Sequence, residues 1–185
     1  DGVLTVHPDA DTLTYNGITV SGNVSVEDGR TYVPLRTTVQ LLGGDAQWDP
    51  YLDGAAVTTA GAEHDAVDLY WLSRIISAES RGEPMEGQIA VGNVVLNRVA
   101  SETFPDTIPT VVFDRKYAVQ FEPVSNGTVY DTPAASSVEA ARRVLNGEKT
   151  VEGALYFYAP ALSPGTWIVS NRTYLTTIGC HRFFL

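Results

Sequence analysis

The feature that most constrains this chain is an acid set on an apolar helical stripe. Residues 65–98, DAVDLYWLSRIISAESRGEPMEGQIAVGNVVLNR, predict two helices joined by a tight turn. Leu69, Leu72, Ile75 and Ile76 recur at helical spacing, and Glu79 falls in the same arc. A carboxylate on a core-facing stripe is costly unless it is paired or protonated. Two readings follow: Glu79 pairs with a cation such as Arg74, Arg81 or Arg98, or it stays partly desolvated with a raised pKa and acts as a general acid. Asp65 is the expected N-cap of the first helix, Asp68 suits its dipole, and Gly82 with Pro84 ends it. The second helix is expected from Met85 to about Ala100, with Met85, Ile89, Val91, Val95, Leu96 and Val99 on its apolar arc. Gly92 in that arc implies close approach of a neighbour, because glycine costs a helix interior about 1 kcal/mol. Gln88, just past the turn, either reaches Glu79 with its amide or caps the turn itself.

Ahead of this helix pair, residues 1–60 have a different texture. Leu13–Tyr15 and Ile18–Val20 flank Asn16-Gly17, a strong hairpin signal. Asp28-Gly29 sets a second turn before Thr31–Val33. A short helix over Leu35–Leu42 stops at Gly43-Gly44, and strands are expected over 46–48 and 55–58. The stretch DGRTYVPLRTTVQLLGGDAQWDP (28–50) resembles the small module named after the N-terminal domain of copper amine oxidases. That resemblance implies an attachment or spacer unit. No copper site is expected, because His7 is the only histidine before His64. Residues 59–64 read as a linker.

Beyond the helix pair, 103–131 reads as loop and short helix, anchored by Val111-Val112-Phe113, with Tyr117-Ala118-Val119-Gln120-Phe121-Glu122-Pro123 as its informative part. A third helix is expected from Thr132 and Pro133, with Val138, Ala141, Val144 and Leu145 inside and Glu139 paired to Arg142 or Arg143 outside. Strands are expected over 154–158, 166–169, 174–178 and 182–184. Alternation in the first puts Tyr156 and Tyr158 on one face, a pattern suited to a sugar surface or to an ordinary half-buried hairpin.

The net charge of −10 argues against nucleic-acid binding and against electrostatic attachment to anionic lipid. The single cysteine, Cys180, excludes an internal disulfide and a multi-cysteine zinc site. No apolar run is long enough for a membrane span. The sequence opens at Asp1 without a methionine, so a mature or trimmed chain is expected, with any targeting segment upstream.

The segments SAESRGEPMEGQIAVGNVVLNRV (77–99), Phe104-Pro105, Gln120-Phe121, NGEKTVEGALYFYAP (146–160) and TIGCHRFF (177–184) resemble, in order and spacing, the cell-wall hydrolases of the spore-cortex-lytic type. The resemblance implies an α+β chain: a lysozyme-like and lytic-transglycosylase-like helical catalytic domain over 66–185, with a small antiparallel β-hairpin region, behind the small β-rich module of 1–60. It implies a secreted bacterial protein of the cell wall or spore cortex. Its catalytic residue would be the first Glu of AE-x-x-GEP, Glu79. Ser80, Ala159 and Cys180 depart from the family pattern at positions where alanine, asparagine and a polar residue are usual.

The expected reaction is cleavage of peptidoglycan between N-acetylmuramic acid and N-acetylglucosamine. Ordinary glycoside hydrolysis uses two carboxylates. Glu83, Glu86, Asp114 and Glu122 are the candidates for a second, and the sequence places none of them convincingly. A lytic transglycosylase needs only one, because the muramoyl C6 hydroxyl is the nucleophile. Gln120, Tyr156 and Tyr158 are expected to position the glycan, and Gln88 to orient Glu79. No cofactor and no metal are expected, the partner is the glycan strand, and the protein is expected to be a monomer. The alternatives are an N-acetylmuramoyl-L-alanine amidase, which would need zinc ligands that His7, His64 and His181 do not cluster to give, and a non-catalytic wall-binding protein. His181 reads as a core histidine and Arg98 as an ion-pair anchor.

Overall fold

The computed structural model describes residues 2–116 and 119–185; Tyr117 and Ala118 of the loop motif lie outside the described residues. The chain divides into two compact units, one ending at Ala66 and the other spanning Val67–Leu185.

The first unit is built from turns that need left-handed backbone. Strands β1 (Leu4–His7), β2 (Thr12–Tyr15) and β3 (Ile18–Ser21) form an antiparallel sheet. Its β2–β3 turn places Asn16 at φ 48° and Gly17 at φ 81°, as the Asn-Gly pair requires. Strands β4 (Ser25–Glu27) and β5 (Arg30–Tyr32) repeat the device with Asp28 and Gly29. Helix α1 (Leu35–Leu41) and the hairpin of β6 (Asp45–Asp49) with β7 (Gly54–Thr58) complete the unit around Leu13, Val39 and Ala46. Strand β1 was not legible in advance. The Asp65 carboxylate accepts hydrogen bonds from Gln47 Nε2 at 3.0 Å and Thr58 Oγ1 at 3.3 Å.

In the second unit the helix pair forms as expected: α2 is Ala66–Ser80 and α3 is Met85–Val99. Trp71, Leu72, Ile75 and Ile76 are fully buried on α2. The expected one-sided arc of α3 is corrected, because every residue from Gly87 to Val95 is buried, Gln88 and Asn93 included. A helix buried all round is the core of its domain rather than a face of it. Asn93 is satisfied there by donating to Glu148 O at 2.8 Å and accepting from Thr150 N at 2.7 Å. Gly92 does permit close approach: a Cβ would lie 2.8 Å from Ile76 Cδ1 and 2.9 Å from Val144 Cγ2. Gly92→Val is therefore expected to lower unfolding stability by about 2 kcal/mol despite its better helix propensity, read from the denaturant midpoint.

Around α3 lie α4 (Ile108–Val112), α5 (Glu122–Asn126) and α6 (Ala135–Leu145). Thr107 and Thr110 form a capping box for α4, and Phe113 packs edge-on against Trp71 at 4.8 Å between centroids. Helix α6 starts two residues later than Thr132 and Pro133 suggested. Its entry is extended, and the Ala134 N–H is taken by Ser77 Oγ of α2 at 3.0 Å. The inner face of α6 is Ser137, Ala140, Ala141 and Val144. Arg143 pairs with Glu148 through two 2.6 Å contacts, in place of the expected Glu139.

Strand β8 (Tyr156–Tyr158) joins β9 (Tyr174–Ile178) and β10 (His181–Phe184) in an antiparallel sheet of order β8-β10-β9. The strand expected over 166–169 is instead helix α7 (Thr166–Asn171). Gly165, left-handed at φ 57°, begins it, and Val169 N bonds to Gly165 O at 2.9 Å. A left-handed entry starts a helical turn that the apolar residues Trp167, Ile168 and Val169 do not advertise.

Candidate active site

Glu79 sits in the last turn of α2, half-buried at the end of the Leu72–Ile76 stripe. Among the described residues no hydrogen bond or ion pair engages its carboxyl. The pairing with Arg74, Arg81 or Arg98 at contact distance does not occur. Arg74 lies over the Tyr70 ring at 3.4 Å, and Arg81 is exposed. Burial, with the charge of Glu122 added, pushes the Glu79 pKa up from 4.5 to about 7, while the Arg98 charge opposes the rise. A carboxylate at a helix C-terminus is also disfavoured by the helix dipole.

Arg98 is buried in the last turn of α3, and it is boxed rather than ion-paired. Its Nε donates to Leu155 O at 2.8 Å. Its guanidinium lies 4.8 Å from the Phe104 ring centroid, 5.1 Å from Phe121 and 5.7 Å from Tyr156. Its Nη1 has no hydrogen-bond partner among the described residues. Burial lowers its pKa to about 10, against the raising effect of Tyr156, Asp114 and Glu79, so it stays charged at neutral pH. Arg98 thus gathers Phe104, Phe121 and Tyr156 around one cation whose field reaches Glu79.

Of the other sequence candidates, Gln120 directly precedes Phe121, which is 2% exposed and packs toward Phe157 at 6.4 Å. Tyr156 lies in the cluster, with its hydroxyl accepting from Arg172 Nη2 at 3.0 Å. Tyr158 shares that strand face, but its ring is packed on Phe184 at 5.8 Å and covered by Gly165, where a Cβ would meet it at 2.4 Å. Gln88 is not brought to Glu79. Its Nε2 donates to Glu83 O at 3.0 Å and Ser136 Oγ at 3.4 Å, and its Oε1 accepts from Ser137 Oγ at 2.8 Å. Both ends of the amide are used in tying the turn to α6, so it caps the turn. Ser80 is likewise spent, donating to Ile76 O at 2.8 Å.

Glu83 holds the β9–β10 turn rather than the α3 N-terminus. Its Oε2 accepts from Cys180 N at 2.8 Å and lies 4.0 Å from His181 Nδ1. Gly179, at φ 56°, has no room for a Cβ beside that carboxylate. Gly179→Ala is therefore expected to destabilise the domain by about 2 kcal/mol, as a melting-temperature drop in calorimetry. Burial lowers the His181 pKa, with Glu83 opposing, which suits the core histidine expected from the sequence. Trp167 and Arg172 were missed. Arg172 lies 4.5 Å from the Tyr156 ring centroid and 4.8 Å from that of Trp167. The available signal was a tryptophan between Pro-Gly-Thr and Ser-Asn-Arg, with no apolar periodicity to bury it.

Two surface hollows lie elsewhere. One of about 510 Å³ runs between Pro84, Glu86, Thr150 and the β9 residues. Another of about 260 Å³ is lined by Arg74, Ser77, Ala78 and Arg81, on the side of α2 away from Glu79. Among the described residues no group of three His, Cys, Asp or Glu is arranged to hold a metal ion.

Residues 82–184 match the sequence pattern of the family described as cell wall hydrolase. The chain belongs to that family. It is 36% identical over 126 residues to the spore cortex-lytic enzyme of Halalkalibacterium halodurans, an alignment covering 68% of this chain and 37% of that protein. It is 34% identical over 143 residues to the spore cortex-lytic enzyme of Bacillus cereus, covering 76% of this chain and 52% of that protein. The chain thus spans about half or less of the length of these relatives. Among solved structures it is similar to the catalytic domain of the germination-specific lytic transglycosylase SleB from Bacillus anthracis, with a TM-score of 0.60 and 34% identity over 66% of this chain and 98% of that one. The fold class is therefore that of a lysozyme-like α+β domain. The family match begins three residues after Glu79.

Proposed function

We propose that this chain cuts peptidoglycan glycan strands between N-acetylmuramic acid and N-acetylglucosamine as a lytic transglycosylase, with Glu79 as the lone general acid and base. The observation that carries the reading is a half-buried carboxyl that no hydrogen bond or ion pair engages among the described residues; burial pushes its pKa up to about 7, so that a large share holds its proton at neutral pH. Glu79 donates that proton to the glycosidic oxygen as the bond from muramoyl C1 breaks. The departing N-acetylglucosamine keeps the oxygen as a hydroxyl. The C6 hydroxyl of the same muramoyl residue attacks C1 and gives its proton to the Glu79 carboxylate. The product is a 1,6-anhydro ring, Glu79 is protonated again, and no water is consumed. Arg98 limits how far the Glu79 pKa rises, while Gln120, Tyr156 and Tyr158 border the glycan path, Tyr156 most directly.

Glu122 gives a specific ground for a second reading, a water-dependent muramidase, because its charge reaches Glu79. It lies at the first position of α5 and is exposed. The unit ending at Ala66 acts in this proposal as a spacer or attachment module, on the resemblance of 28–50 alone, and the site of action is the cell wall or spore cortex.

A general acid must be protonated to act, so lytic activity is expected to hold below pH 7 and to fall about tenfold per pH unit well above it. Glu122→Gln removes a charge that raises the Glu79 pKa, so the fall should move to lower pH. A profile flat from pH 6 to 9 in the unaltered protein would exclude Glu79 as the acid.

A further inference from the structure

We propose that Trp167 and Arg172 form a saccharide subsite beside Glu79: Trp167 carries an N-acetylhexosamine ring and Arg172 takes the lactyl oxygen of a muramoyl residue. The inference rests on the glycan-cleaving reading above. Trp167 is 57% exposed on α7, a helix with no buried residue, and Val169 of the same helix is 52% exposed. A surface helix that buries none of its residues gains little stability from its indole. Yet this indole is not loose, for its ring stands 6.1 Å from Tyr156 at 63°. Arg172 lies against both rings, its Nη1 donating to Asn171 O and its Nη2 to Tyr156 OH, each at 3.0 Å. Tyr156 in turn faces Arg98, whose field reaches Glu79, and Phe104 lies 6.2 Å from Tyr156. Tyr156 thus links the exposed indole and Arg172 to the buried Arg98, whose charge acts on Glu79.

An exposed ring face suits the C–H face of a pyranose, which stacks on it without a hydrogen-bond partner being lost. The fixed guanidinium supplies planar donors, which match a carboxyl or carboxamide oxygen better than an ammonium would. Both sugars carry the oxygen of a 2-acetamido group, but only the muramoyl residue adds a lactyl carboxyl, which as a carboxylate is the stronger partner of a guanidinium. The occupant is therefore the alternating strand rather than a chitin-like chain, and Arg172 is the element that tells them apart.

Binding is compared in the Glu79→Gln background, with peptide-free glycan oligosaccharides and with chitooligosaccharides of equal length. Trp167→Ala should weaken both about tenfold, and Trp167→Phe should recover most of the loss. Arg172→Lys should weaken the muramoyl oligosaccharide alone, by about fivefold. Unchanged affinity in Trp167→Ala with an unchanged melting temperature would overturn the subsite. Equal weakening of both oligosaccharides by Arg172→Lys would overturn the muramoyl assignment. All partners in the comparison carry the same residue at 79. Lysis by Glu79→Gln would therefore defeat the acid assignment while the comparison at Trp167 still decides the subsite.

Discussion

Glu79→Gln is expected to lower lysis of purified sacculi by about a thousandfold or more, with the fold unchanged. Glutamine keeps the shape of the side chain and cannot donate the proton that the glycosidic oxygen needs, and general acid catalysis contributes about 10²–10⁴. In the proposed mechanism the same carboxyl also serves as the base that receives the C6 hydroxyl proton, so one substitution removes both steps. Among the described residues no hydrogen bond to Glu79 is lost in the exchange, so the loss should appear in turnover. Unaltered circular dichroism and a retained cooperative melt show that the fold persists. Residual lysis within tenfold of the unaltered protein would place the acid elsewhere.

The same substitution should make the domain more stable at alkaline pH. The Glu79 carboxyl has its pKa raised from 4.5 to about 7, first by burial and then by Glu122, against Arg98. A raised carboxyl means that the folded state holds the proton more tightly than the unfolded chain. The fit of Glu79 into the fold is therefore fully favourable below pH 4.5, and it is lost progressively as pH climbs through about 7. Between those limits the penalty grows to about 3 kcal/mol. Glutamine does not ionise and escapes it. Denaturant melts at pH 8.5 should place Glu79→Gln above the unaltered protein by up to about 3 kcal/mol, and melts at pH 4 should coincide. An equal effect at both values would mean that the carboxyl ionises in the fold at its ordinary pKa.

What the sequence disclosed depended on whether local spacing or tertiary contact decides the feature. The Leu72–Ile76 stripe and the Asn16-Gly17 turn are written in residues close in the chain, and both formed as expected. Glu79 was legible for the same reason, since helical spacing alone sets it at the end of a buried stripe. Gln88 was not. Its amide has two acceptable destinations, and only the packing of α6, with Ser136 and Ser137, selects between them. Arg98 was read as an ion-pair anchor, because no spacing announces that Phe104, Phe121 and Tyr156 converge on one guanidinium from three segments. The α7 region read as a strand because Trp167, Ile168 and Val169 carry strand propensity, which a left-handed Gly165 overrides. Concealed in that misreading were Trp167 and Arg172.

The proposed acid at 79 and the proposed intramolecular nucleophile meet in the chemistry of the released ends. Peptidoglycan digested to completion and analysed by mass spectrometry should yield muramoyl termini lighter by one water than hydrolysed ones and resistant to borohydride reduction, which identifies the 1,6-anhydro ring. Reducing muramoyl ends formed as the main product would contradict the lone-carboxyl mechanism and bring Glu122 forward as a second catalytic acid. Freed stem peptides on intact glycan would contradict glycan cleavage itself.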